Sequence, residues 1–142
     1  MADDIVALAR QWLATPYVHQ ASVKGAGADC LGLIRGLWRE RQGHEPEAPP
    51  AYTADWGELG DRELLWEAAR RWLVPLQPGA TLAPGQVLLF RMRAGAIAKH
   101  LGVLTEMAPT PTFIHAYTGH GVIESPLSLP WQGRVVARFR FP

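Results

Sequence analysis

The residues best suited to chemistry are a single cysteine, Cys30, and two of the five histidines. A cysteine becomes an effective nucleophile when a histidine accepts its proton. His100 in KHLGVLTE and His115 in FIHAY lie in segments with the alternation of β-strands. If these strands pair through the turn MAPTPT, both imidazoles lie on one face, where one can orient the other. The pattern therefore favours a nucleophilic thiol assisted by two histidines.

Cys30 follows Asp29 at the start of a predicted helix that ends at Gly43. The free amide groups and the dipole of a helix N-terminus favour a thiolate, so we expect a lowered pKa for this thiol. Two other interpretations remain open: Cys30 is a small buried hydrophobe, and Asp29 is only the helix cap. The histidines and the cysteine lack the spacing of a zinc site, so we predict no metal and no other cofactor.

The scaffold for these residues changes from helical periodicity in the first half to strand alternation in the second. Helices are predicted from Asp3 or Asp4 to just before Pro16, from Asp29 or Cys30 to Gly43, and from Asp61 through Trp72. Strands are predicted at about 86–92, 99–106, 112–117, 121–124 and 134–141. This order predicts an α+β fold in which N-terminal helices pack on a C-terminal antiparallel sheet of about five strands.

The length of 142 residues suits one domain over 1–142. Within it, we interpret the Pro-rich stretch 43–60 as a surface insertion. Gly32 and Gly36 each weaken the helix that begins near Cys30, which is most easily explained if a sheet approaches their bare face.

Composition excludes several classes of function. With a net charge of +1, the chain lacks the overall excess of basic residues that is typical of nucleic-acid-binding proteins. No apolar run is long enough to cross a bilayer, and one cysteine cannot form an internal disulfide. The stretch MADDIVALARQW is acidic where a secretory signal is basic, so we expect a protein made in the cytoplasm without a signal peptide.

Four segments together carry a resemblance to a known family. PYVHQASVKGAGADCLGLIRGLW, PGQVLLF, KHLGVLTE and FIHAY resemble, in this order, the motifs of the NlpC-type bacterial cell-wall cysteine peptidases, a compact branch of the papain-like superfamily. The likeness spans most of the chain and is closest to the branch found among tail proteins of phages and gene transfer agents. Leu31 departs from the wider family, which usually has serine after the cysteine.

The resemblance implies a role for five residues. Cys30 matches the nucleophile, His100 the general base and His115 the residue that orients the base. Tyr17 matches a tyrosine that lines the cleft and helps to stabilise the transition state, and Asp29 matches an acidic residue that binds the free amino end of a stem peptide. For the last two, simple packing and helix capping remain alternatives.

The implied substrate is the peptidoglycan stem peptide, cleaved between γ-D-glutamate and the diamino acid. An amidase or acyltransferase of the same superfamily, or a catalytically idle tail structural module, are the alternative functions. Without a signal peptide, the enzyme needs a carrier, and the resemblance implies a phage-like tail or baseplate that delivers it to the cell wall. The segment from His44 to Gly60, with Tyr52 and Trp56, is the predicted docking surface, although such a loop can equally cover the core.

Overall fold

The structure is a computed structural model that describes residues 2–45 and 62–142. Helix α1 spans Ala2–Gln11, and its apolar residues Ile5 and Ala9 are buried against the rest of the fold. The helix ends earlier than the predicted boundary before Pro16. The reason is tertiary, because the backbone of Ala14 and Thr15 pairs with Val122 and so leaves the helical path.

Helix α2 spans Cys30–Gln42, as predicted, and begins after the N-cap Asp29. Gly43 ends it with a φ of 87°, a conformation that glycine adopts without strain. The helix buries Leu33 and Leu37 completely and contacts both α1 and the sheet. It is therefore the central helix of the described part of the chain.

The glycines of α2 serve a different purpose from the one predicted. A Cβ atom at Gly36 would lie 2.1 Å from Cζ2 of Trp12, and one at Gly32 would lie 1.8 Å from the carbonyl oxygen of Ala21. The prediction that a sheet approaches this face is wrong. The close neighbours are the indole of Trp12, which follows α1, and the backbone of the loop that precedes α2.

Helix α3 spans Leu64–Trp72, and a short helix, α4, spans Leu129–Gln132. The predicted cap of α3, Asp61, lies outside the described residues, as does most of the predicted insertion 43–60. Glu63 occupies the N-cap position instead and makes no side-chain cap. Helix α4 is too short to leave a periodic signal in the sequence.

Strand signals predicted the main sheet well. In the loop before α2, β1 and β2 form a small hairpin, and six further strands form the main sheet in the order β3-β8-β4-β5-β6-β7, with every neighbouring pair antiparallel. The described residues thus form an α+β fold, as predicted. The strands are β1 Ser22–Val23, β2 Gly27–Ala28, β3 Val74–Pro75, β4 Val87–Phe90, β5 His100–Glu106, β6 Thr112–Tyr117, β7 Gly121–Pro126 and β8 Val135–Arg140. The sixth strand of the sheet, β3, has two residues, too few for an alternating pattern.

The two faces of the main sheet bury different sets of side chains. One face, which includes Leu89, Leu101 and Val103, packs under α1 and α2. The other carries a smaller apolar cluster that includes Phe90 and Phe113, covered in part by Trp131 from α4. Both faces of the central strands are therefore shielded from water, which allows polar groups within them to be held in a dry environment.

Candidate active site

The junction between the Gly-rich loop and α2 is organised by the carboxylate of Asp29. Its Oδ1 accepts from the amide of Gly32 at 2.7 Å, and its Oδ2 accepts from the amide of Gln20 at 2.7 Å. Nδ1 of His19 lies 3.8 Å from the same Oδ2. Asp29 is 2% exposed, so the carboxylate joins the loop to the helix from a buried position. The capping interpretation is confirmed, and contact with a substrate ammonium stays a prediction.

Cys30 occupies the first position of α2 and is partly buried. Its thiol donates to the carbonyl oxygen of Lys99, with 3.7 Å between Sγ and oxygen. Lys99 immediately precedes His100, the first residue of β5. The fold therefore brings the helix N-terminus to the start of the strand that carries the predicted base.

Burial, together with the adjacent Asp29 carboxylate, raises the pKa of the Cys30 thiol to about 12. Backbone amides at Leu101 and at the helix start oppose this shift without cancelling it. The lowered pKa that the helix position led us to expect is therefore wrong for the substrate-free protein.

His100 and His115 form a hydrogen-bonded pair. Nε2 of His100 lies 2.8 Å from Nδ1 of His115, and the two rings are nearly perpendicular, at 79°. Strands β5 and β6 pair antiparallel, as predicted, and both histidines are buried. The predicted juxtaposition of the two imidazoles on one face is confirmed.

Gly102 makes this pairing possible. It lies on β5, two residues after His100, and a Cβ atom there would lie 2.8 Å from Cδ2 of Phe113 and 3.4 Å from Cβ of His115 on β6. A side chain at this position would displace the rings from β6. In the sequence KHLG, the histidine therefore provides one imidazole and the glycine leaves room for His115.

Both histidines are held in their neutral forms. Burial, and secondarily the neighbouring His115, lowers the pKa of His100 to about 3. Burial, and secondarily His120, lowers the pKa of His115 to about 4. Near pH 7 the pair therefore holds one proton per ring, and His100 is in the form that can accept another.

Aromatic rings enclose the histidine pair. The Trp131 ring lies 5.8 Å from that of His100 and 5.2 Å from that of His115, measured between centroids. The ring of Tyr117 stacks on His115 at 5.2 Å. The sequence alone places neither ring beside the histidines. Their positions became evident only when α4 and the end of β6 were seen against the sheet.

Ser125 is a polar neighbour that the sequence analysis missed. Its Oγ lies 2.9 Å from Nε2 of His115, so both nitrogens of the buried imidazole have a partner. Ser125 lies on β7, directly opposite Phe113 in the register. A serine near the end of a short strand carries no local signal, and its role depends on the pairing of β6 with β7.

Tyr17 lies beside the junction of the loop and α2. Its backbone bridges to Ala28, and its ring packs on the main core. Burial raises the pKa of its phenol, and the acidic groups of Cys30 and Asp29 add to this effect, whereas a hydrogen bond with Thr118 opposes it. The structure therefore brings Tyr17 near Cys30 and Asp29. A catalytic role for it stays a prediction.

Within residues 2–45 and 62–142, His, Cys, Asp and Glu form no group of three that could hold a metal ion. Over these ranges no helix combines the length and the apolar character that a membrane span requires. The site is thus described by the thiol, the histidine pair and their neighbours.

No family model matches the sequence, and no curated protein matches it. Solved structures are similar in fold. The NlpC/p60 domain of the peptidoglycan hydrolase SagA aligns with a TM-score of 0.63 and 18% identity over 99% of both chains. An NlpC/P60 family protein from Bacillus cereus gives 0.66 and 17%, covering 99% of this chain and 40% of the other. A lipoprotein-like protein of the NLP/P60 family from Staphylococcus aureus gives 0.60 and 20%, covering 98% and 40%.

These comparisons show that the chain has the fold of an NlpC/p60 domain. The resemblance noted in the sequence is therefore confirmed for the fold. The placement in a phage-tail branch stays a prediction.

Proposed function

We propose that the protein is a peptidoglycan hydrolase that uses Cys30 as its nucleophile. The observation that carries the proposal is the hydrogen-bonded pair of His100 and His115. The Cys30 thiol donates to the carbonyl oxygen of Lys99, the residue that immediately precedes His100. The fold supports it, because one structure with the same fold is the domain of a peptidoglycan hydrolase. Cysteine-based acyl transfer requires a thiol and an oriented imidazole that accepts its proton.

The first half of the proposed reaction forms a thioester. Nε2 of His100 is engaged with His115, so Nδ1 is the nitrogen that takes the thiol proton. The sulfur of Cys30 attacks the amide carbonyl carbon, and the backbone N–H of Cys30 stabilises the oxyanion. His100 then gives the proton to the leaving amine as the C–N bond breaks.

The second half restores the enzyme. A water molecule loses a proton to His100 and attacks the thioester carbonyl carbon. The C–S bond breaks, the acid product leaves, and the proton returns from His100 to the sulfur.

The proposed substrate bond is that between γ-D-glutamate and the diamino acid of a stem peptide. The test is mass spectrometry of defined muropeptides after incubation with the wild type and with Cys30→Ala as the matched control. We expect fragments from this bond with the wild type alone. Release of the stem peptide from the sugar indicates an amidase instead, and transfer to an added amine indicates an acyltransferase.

Asp29 and Tyr17 are the proposed substrate contacts. A stem peptide with a free N-terminal amine is expected to place its ammonium near the Asp29 carboxylate. If so, Asp29→Asn raises KM for free-amine substrates more than for N-acetylated ones. An equal change for both substrates shows that the carboxylate only caps α2.

We further propose that a phage-like tail or baseplate carries the enzyme to the cell wall. The support is the resemblance of the sequence motifs to those of the phage-tail branch. Particles purified from a producing strain are expected to contain the chain, and deletion of 44–60 is expected to release it if this segment docks. Recovery in the soluble lysate alone contradicts delivery by a particle.

A further inference from the structure

Ser125 is the outer partner of the histidine pair. Its Oγ lies 2.9 Å from Nε2 of His115, whose Nδ1 lies 2.8 Å from Nε2 of His100. His115 is 0% exposed, so water does not replace either partner. The three side chains form a continuous line of hydrogen bonds across β5, β6 and β7.

The direction of these hydrogen bonds determines whether His100 can act as a base. A neutral imidazole has one nitrogen that donates and one that accepts. If His100 is to accept the thiol proton on Nδ1, its own proton is on Nε2 and is donated to Nδ1 of His115. His115 then carries its proton on Nε2 and donates it to Ser125.

The opposite direction inactivates the pair. If the Ser125 hydroxyl donated to Nε2 of His115, the proton of His115 would be on Nδ1 and would be donated to Nε2 of His100. The proton of His100 would then be on Nδ1, where it blocks acceptance of the thiol proton. Only one direction of the chain is compatible with the proposed reaction.

We propose that Ser125 is a positioning residue: its Oγ accepts a hydrogen bond from Nε2–H of His115 and so favours the tautomers of both histidines that leave Nδ1 of His100 free. This proposal rests on the proposed function for its catalytic consequence. The location of the protons is a property of the substrate-free protein and can be measured without substrate. The lowered pKa values of both histidines support it, because neutral rings have tautomers to select.

The test uses nitrogen-15 NMR of protein labelled at histidine, with His100→Gln and His115→Gln to assign the signals. In the wild type at pH 7.5 we expect both rings to be protonated on Nε2 and unprotonated on Nδ1. In Ser125→Ala we expect part of the His115 population to move its proton to Nδ1. Ser125→Thr keeps the hydroxyl and is expected to restore the wild-type signals.

The kinetic readout is kcat for stem-peptide cleavage. Loss of one hydrogen bond in Ser125→Ala is expected to lower kcat by roughly five- to tenfold, with KM unchanged. Ser128→Ala is the matched control, since Ser128 makes no side-chain cap on α4, and is expected to leave both readouts unchanged.

A wild-type His115 protonated on Nδ1 overturns the proposal, as does a Ser125→Ala variant with unaltered tautomers. A failure of the proposed function looks different. In that case the wild type cleaves no stem peptide, while the NMR signals still respond to Ser125→Ala as described.

Discussion

The two polar regions near the candidate nucleophile are built in different ways. The carboxylate of Asp29 accepts from two backbone amides, those of Gln20 and Gly32. The imidazole of His115 instead has two side chains as its partners, His100 and Ser125. Backbone amides always donate, so the first region has one possible arrangement of protons. The second has two, and the choice between them matters for chemistry.

Because of this difference, we expect substitutions in the two regions to change different properties of the protein. A change at Asp29 is expected to lower the free energy of unfolding, because the loop and α2 lose their connection, in addition to its effect on the proposed substrate contact. A change at His100 is expected to affect mainly the rate of cleavage, because the imidazole is a proton acceptor. Substitutions in each region therefore test whether the two roles are separate.

The largest effect is expected at Cys30 and His100. Cys30→Ala and His100→Ala should each lower kcat for stem-peptide cleavage by about 10³-fold or more, while the protein stays folded. The double variant should be no slower than either single variant, because the two side chains act as a unit. Initial rates on a defined muropeptide, with circular dichroism to verify folding, provide the measurement. Additive losses would break the pairing.

The next effect is expected at Asp29. Asp29→Ala leaves the buried amide of Gly32 and the partly buried amide of Gln20 without their acceptor, so the free energy of unfolding should fall by about 2–4 kcal/mol. Urea unfolding followed by tryptophan fluorescence measures it. Glu106→Ala is a suitable control, because the salt bridge from Glu106 to Arg10 is exposed, and it should change stability little. A loss at Asp29 as small as that of the control would contradict the structural role.

A smaller effect is expected at Gly102. Gly102→Ala places a methyl group 2.8 Å from the ring of Phe113, so the rings on β6 must shift. We expect a loss of about 1–3 kcal/mol in the free energy of unfolding together with a lower kcat. At Gly79, a Cβ atom meets nothing within 4 Å, and Gly79→Ala serves as the control. Full activity in Gly102→Ala would show that the histidine geometry tolerates the shift.

The last prediction concerns the pH dependence of the free energy of unfolding that is due to His115. The folded protein holds His115 neutral with a pKa of about 4, whereas the unfolded chain binds a proton near pH 6.5. Between these values the unfolded state binds more protons, so the free energy of unfolding falls as the pH falls, by at most about 1.4 kcal/mol per pH unit for this group. The free energy of unfolding, measured with urea at pH 7.5 and at pH 5.0, should fall more between these pH values for the wild type than for His115→Gln. Equal pH dependence of the two proteins would contradict a neutral, buried His115.

The sequence was informative wherever local patterns determine structure. Asp29 and Gly43 marked the ends of α2 because capping depends on adjacent residues. The alternation around His100 and His115 predicted their common face because β5 and β6 are neighbours in the chain. These are short-range signals, and they led to the pair at the centre of the site.

The features that the sequence did not predict depend on contacts between distant segments of the chain. Trp12 fills the space at Gly36, and Ser125 reaches His115 through the pairing of β6 with β7. The pKa of Cys30 was misjudged because a helix N-terminus was considered without the burial that surrounds it. None of these can be read from spacing, since each depends on how the elements pack.

The most direct test of the central claim uses the fact that Cys30 is the only cysteine in the chain. Partial alkylation with iodoacetamide, quantified by intact-protein mass spectrometry, gives the modified fraction of a single site. Muropeptide cleavage by the same samples is then plotted against that fraction. We predict that the residual rate of muropeptide cleavage falls in direct proportion to the fraction of Cys30 alkylated and reaches zero at full modification. Cleavage that persists in fully alkylated protein would contradict Cys30 as the nucleophile.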